Sequence, residues 1–137
     1  MSNSYFGSLN SFFQYIEIKY NLSVIIAAHP KAEYTSEFGG RKIIKNETLN
    51  LIRYAEIVLI HASNAISYIV LANKPFVFIT NTAYSSVIFL DNRLRKLAAL
   101  FHARVENIDE EKDIQVNYLT EQDRKTVSYT HLRAHET

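Results

Sequence analysis

Between Tyr5 and Tyr20 the apolar residues Leu9, Phe12, Phe13 and Ile16 recur every three or four positions, with polar residues between them. That spacing predicts an amphipathic helix with one stripe packed on a sheet, ended by Asn21. The pattern then changes. Residues 23–28 form an unbroken apolar run, rich in β-branched side chains and too short for a helix, which predicts a strand buried on both faces and stopped by Pro30. The alternation continues with a short helix over 47–54, a buried strand over 56–60 and a helix over 65–72, with Asn73 as its left-handed stop. A strand over 76–79 follows Lys74-Pro75; a helix then carries Phe89, Leu94, Leu97, Ala98 and Phe101, and a weaker strand covers 104–108. Two stretches are read as connections. One is 31–46, long and nearly devoid of apolar residues apart from Tyr34, Phe38 and the pair Ile43-Ile44; the other is 80–86. Helix and strand alternating in this way predict an α/β fold: a Rossmann-like parallel sheet with helices on both faces.

The domain reading follows from the same pattern. Residues 1–110 form one Rossmann-like nucleotide-binding domain, and 111–126 are a charged, truncated continuation containing Ile114, Val116 and Leu119. Residues 127–137 resemble one reading frame of a sequencing adapter and are expected to be an artefact. His131 and His135 are therefore left out of any search for ligands, and the gene is expected to be cut short.

Composition narrows the function classes. The net charge of +1 supplies no strong field, so no nucleic-acid partner is expected. The absence of cysteine excludes disulfides and thiolate metal sites and suits a reducing cytoplasm. No apolar run approaches the ~20 residues that a transmembrane helix needs, and the first residues do not form a signal peptide. A cytoplasmic protein is expected, with at most peripheral association with a membrane.

The candidate chemistry lies where two predicted strands end. Ile25 to Ala28 leads into His29-Pro30, and Ile57 to Ile60 leads into His61-Ala62-Ser63-Asn64 at the start of a predicted helix. A parallel sheet lines up the carboxyl ends of its strands along one crevice, where ligands bind. Imidazoles and fresh helix N–H groups there favour an anion, most naturally a phosphate. His29 and Ser63 are the leading candidates. His61 reads better as a buried, satisfied histidine, and a metal site on His29 and His61 lacks a third ligand. In the long connection Gly39-Gly40 would let the backbone approach a ligand, and Arg41 could grip a phosphate or sugar carboxylate in two-pronged fashion. Thr80 and Asn81, at the end of the third strand, should face the same crevice; the roles of Asn107 and Asp109 stay open.

The order of apolar strand, His29-Pro30, basic loop, short helix, Ala55 to Ile60, small polar quartet, helix and Lys74-Pro75-Phe76-Val77-Phe78 resembles the C-terminal nucleotide-binding domain of GT-B-fold glycosyltransferases. Within that group it is similar to bacterial surface-polysaccharide enzymes: capsule and polysialyltransferase-like transferases and the glycerophosphotransferases of teichoic acid synthesis. The resemblance covers about residues 21–109. It implies half of a GT-B fold that binds a nucleotide-activated sugar, of CMP or CDP type, with no further cofactor. His29 would stabilise the departing phosphate as the catalytic group, and Ser63, Asn64, Arg41, Thr80 and Asn81 would hold the donor. Asn64 stands where those families carry a second hydroxyl residue. The resemblance also implies a missing N-terminal domain that supplies the catalytic base, so the fragment is not expected to transfer sugar alone. Two other readings remain open: a sugar-nucleotide epimerase, which would need carboxylates near the strand ends, and a non-enzymatic flavodoxin-like binding module, which would need an acidic cluster there.

Overall fold

The computed structural model describes residues 2–28, 31–61 and 66–121. It is an α/β arrangement in which every strand pair is parallel. The elements run α1 (Ser2–Tyr20), β1 (Ile26–Ala28), β2 (Ile43–Lys45), α2 (Thr48–Tyr54), β3 (Val58–Ile60), α3 (Ile66–Ala72), β4 (Phe76–Thr80), α4 (Thr82–Ser85), α5 (Ile88–Ala99) and β5 (Val105–Asn107). Among the described residues the strands form two sheets, β1-β2 and β3-β4-β5.

Strand β4 is the axis of the fold, buried at every position because helices cover both of its faces. Its alternate residues serve two cores. Val77 and Ile79 meet the α1 stripe of Leu9, Phe12, Phe13 and Ile16, together with Ile26 and Ile43 from the two-stranded sheet. Phe76 and Phe78 face the other way, onto Ile52 of α2, Ile69 of α3, and Leu94 and Ala98 of α5. The rings of Phe76, Phe78 and Phe101 stand 5.3–6.0 Å apart, at separations that suit edge and tilted contacts.

Three helices stop in the same way, on a residue that can take left-handed backbone. Asn21 (φ 54°), Asn73 (φ 54°) and His102 (φ 52°) are those residues. The amide after each reaches back five residues, Leu22 to Glu17, Lys74 to Ile69 and Ala103 to Ala98, closing the Schellman bond that satisfies a terminal carbonyl. The two asparagines are the stops expected from sequence.

Three expectations need correction. The run over 23–28 is not a strand buried on both faces: only Ile26–Ala28 is strand, and Ile25 is 46 % exposed, because β1 pairs with β2 alone among the described residues. Residues 43–45, placed in a long connection, form β2 and pair in parallel with β1, with Ile26 opposite Ile43. Two β-branched residues are enough for a strand when an apolar partner lies alongside, and no periodicity can show itself in three residues. Residues 82–85, placed in a loop, form the single turn of α4, capped by Asn81.

Beyond β5 the chain returns to the start of β4, where Phe76 and Asn117 exchange backbone hydrogen bonds of 3.0 and 2.9 Å. On the way it is tied along α1. The Ser8 hydroxyl bonds the Asp109 carboxylate at 2.5 Å, the Lys112 ammonium meets Ser11 at 3.1 Å, and Tyr15 and Lys19 both bond Asp113.

Candidate functional site

Parallel pairing brings the carboxyl ends of β3, β4 and β5 to one edge, so that His61, Asn81 and Ile108 follow the strands there. His61 sits among rings. Its imidazole centroid lies 4.1 Å from Tyr84 of α4 and 5.4 Å from Tyr5 of α1. Its Nδ1 lies 2.9 Å from the Ile79 carbonyl, so Nδ1 carries the proton and donates it. Nε2 is then an acceptor. It is buried and has no hydrogen-bond partner among the described residues. Burial pushes the imidazole below its ordinary 6.5, against the smaller opposing pull of the Ile79 carbonyl, and a neutral ring results. Among the described residues, the satisfied core histidine expected from sequence finds a partner at Nδ1 only.

The same burial pushes the hydroxyls of Tyr5 and Tyr84 up, keeping both protonated. Neither ring was a candidate, and nothing in their local sequence distinguishes them from core aromatics. The chain's topology is what brings residues 5, 61 and 84 together.

Next to this cluster, the edge is held by side chains spent on the backbone. Asn81 is fully buried; its Oδ1 accepts the Tyr84 amide at 2.9 Å and its Nδ2 donates to the Tyr5 carbonyl at 3.1 Å. Thr80 is also fully buried, with its hydroxyl 3.4 Å from the Asn81 carbonyl. Asp109 accepts the Thr82 amide at 2.8 Å as well as the Ser8 hydroxyl. Desolvation raises the Asp109 carboxyl, but those hydrogen bonds outweigh it and hold the group below the usual carboxylate range. A carboxylate at the first amide of a helix also sits well against the positive end of the peptide dipoles. Through its bond to the Tyr84 amide Asn81 caps α4, a role not expected from sequence, where 80–86 reads as a connection.

Arg41 is engaged on every side. Its Nη2 meets Glu17 Oε1 at 2.7 Å, and its Nη1 bonds both Asn10 Oδ1 at 3.0 Å and the Phe38 carbonyl at 3.1 Å. The guanidinium also lies 5.4 Å from the Phe13 ring centre. The guanidinium therefore pins residues 31–42 to α1. Gly39 (φ 64°) stands close beside it, where a Cβ would come within 3.1 Å of Arg41 Nη1, so the glycine admits the guanidinium. The Arg41 hydrogen bond comes first among the causes that hold Glu17 below the usual carboxylate range.

His29, Ser63 and Asn64 lie outside the described residues. In the chain they directly follow β1 and precede α3. Of the remaining candidates, Thr80 and Asn81 share one edge, whereas Arg41 lies with α1 and the 31–42 connection. A groove of about 700 Å³ opens between α5 and β5, lined by Arg95, Ala98, Arg104, Glu106, Asn107 and Glu110 among others; Asn107 borders it, and Arg41, Thr80 and Asn81 do not. Among the described residues no three His, Asp or Glu side chains group to hold a metal ion, and no helix is long and apolar enough to cross a membrane.

No family model, curated protein or solved structure matches the chain.

Proposed function

We propose that the chain is the donor-binding half of a glycosyltransferase that takes a nucleotide-activated sugar, of CMP or CDP type, for a bacterial surface polysaccharide. The observation that carries this reading is the parallel topology. With β3, β4 and β5 parallel, their carboxyl ends form one edge, and in the chain Ser63 and Asn64 follow β3, while His29 follows β1, the parallel partner of β2 in the other sheet. In a parallel α/β sheet that edge is where ligands bind, because loops of both directions part there and unpaired amides face outward. His29 donates a hydrogen bond to a phosphate oxygen and stabilises charge as the nucleotide leaves. Ser63 and Asn64 add polar groups to the same phosphate. The neutral His61 at the end of β3 is a hydrogen-bond acceptor at Nε2 and adds no charge.

At this edge the Asp109 carboxylate is engaged by Ser8 and Thr82 and is not offered as the base for an acceptor. A base from a further domain completes the reaction, which belongs in the cytoplasm. The fragment alone binds donor without transferring sugar.

The test is the melting temperature of the chain titrated with CMP, CDP and UDP. Binding at a hundred times Kd adds about 2.7 kcal/mol of stability, a readily measured upward shift. The expected result is stabilisation by CMP or CDP that disappears in His29→Ala. An absence of stabilisation by all three nucleotides, or an undiminished response in His29→Ala, overturns the reading.

A further inference from the structure

Helix α5 carries apolar residues on the side that should be polar. Leu94 and Ala98 point into the core. At 3.6 residues per turn the opposite side of the helix presents Phe89, Asn92 and Lys96, flanked by Ile88, Arg93 and Leu100. Ile88 is 73 % exposed and Phe89 68 % exposed, in the first turn of the helix. Arg93 and Lys96 are exposed one and two turns further along. The acid of this helix, Asp91, lies on its flank, where the Ser85 hydroxyl bonds it at 2.7 Å and Arg95 at 3.0 Å. The outward face is therefore apolar and cationic, with no acid in it.

We propose that this face of α5 is a contact surface for an anionic lipid bilayer. Two features select the occupant. Exposed Ile and Phe side by side gain by leaving water, and an acyl-headgroup boundary accepts them without a matching shape. The cations interleaved with them fit that environment, because lysine and arginine stems lie along apolar surface while their charges reach anionic headgroups. The dry centre of a protein interface disfavours lysine, which makes a lipid surface the better match. The net charge of the whole chain is only +1, so overall charge does not supply the attraction. The surface is separate from the candidate site, and the proposal stands independently of the donor reading.

Co-sedimentation of the full chain with phosphatidylcholine vesicles, with and without phosphatidylglycerol, tests it. Binding is expected with phosphatidylglycerol, should weaken with salt, and should be near zero without the anionic lipid. Each basic group near such a surface is worth about a factor of five in affinity, so Arg93→Glu with Lys96→Glu should weaken binding by tenfold or more, at the order-of-magnitude level. Ile88→Ser with Phe89→Ser should do the same. Lys45→Glu with Arg53→Glu removes equal charge from another part of the surface and should leave binding within about twofold. Melting temperatures check that the variants fold; if the Ile88 and Phe89 pair does not, Phe89→Ser alone decides. No sedimentation with phosphatidylglycerol vesicles at low salt overturns the proposal. So does equal weakening by the two charge pairs, or undiminished binding after the apolar change.

Discussion

Replacing Asn81 by alanine asks what holds the edge of the sheet together. The side chain makes two bonds, one to the Tyr84 amide at the start of α4 and one to the Tyr5 carbonyl in α1. Loss of the first removes an N-cap, worth about 0.5–2 kcal/mol. Loss of the second removes one of two bonds to the Tyr5 carbonyl, which its own helix still engages, at about 0.5–1.5 kcal/mol. Together they predict a loss of about 1–3 kcal/mol, which for a domain of this size lowers Tm by roughly 4–10 °C. Urea unfolding followed by circular dichroism measures it. Asn81→Asp sharpens the test: it keeps the cap acceptor but sets a buried carboxylate oxygen against the Tyr5 carbonyl, so it should be destabilising at neutral pH and recover as acid protonates the new group and restores a donor. A loss below about 1 kcal/mol in Asn81→Ala refutes this reasoning. If nucleotide binding weakened at the same time as Tm held, the amide would belong to a ligand rather than to the fold.

Arg41→Ala should cost about 2–3 kcal/mol in urea unfolding, because it strips bonds from Glu17, Asn10 and the Phe38 carbonyl at once, and Arg41→Lys should not restore it. The Glu17 carboxyl is held low in the folded state, so its contribution is present above the ordinary value of 4.5 and lost as pH falls through the lowered one; Arg41→Ala should flatten the stability-pH curve there. For His61 the folded imidazole also lies below its ordinary value, so the unfolded chain binds the proton first: stability is full above 6.5 and declines as pH drops below it. His61→Phe keeps a ring between Tyr5 and Tyr84 and should remove that decline in thermal melts across the acid range; an unchanged decline would mean that another group titrates. Asn73→Ala puts a Cβ-bearing residue without a local side-chain hydrogen bond at φ 54° and should cost about 1 kcal/mol, whereas Asn73→Gly should be neutral or stabilising by a few tenths, read as paired Tm shifts.

Local chemistry made part of this protein legible in one dimension. The stripe of Leu9, Phe12, Phe13 and Ile16, the short strands before His29 and His61, and the two asparagine stops each depend on residues a few positions apart. The parallel α/β class follows from their alternation. Strand β2 escaped notice because Ile43 and Ile44 become a strand only beside Ile26, and pairing across some seventeen residues leaves no local period. The separation of the strands into two sheets was likewise invisible, since strand propensity does not name a partner.

The candidate residues divide along the same line. Residue type alone made Arg41 and Asn81 plausible ligand groups, since a guanidinium suits a phosphate and an amide suits a base or sugar. Whether such a group faces a ligand or its own fold depends on what surrounds it, and here Glu17, Asn10, Tyr5 and Tyr84 arrive from other elements to take up its bonds. The ring cluster about His61 arises in the same way, from α1, β3 and α4 meeting at one end of the sheet. Sequence by itself determined which segments could be helix or strand, because backbone preference and amphipathic period act over a few residues. Tertiary structure alone decided which polar atoms are spent inside the fold and which remain to bind, because a hydrogen bond between distant residues exists only once the chain has brought them together.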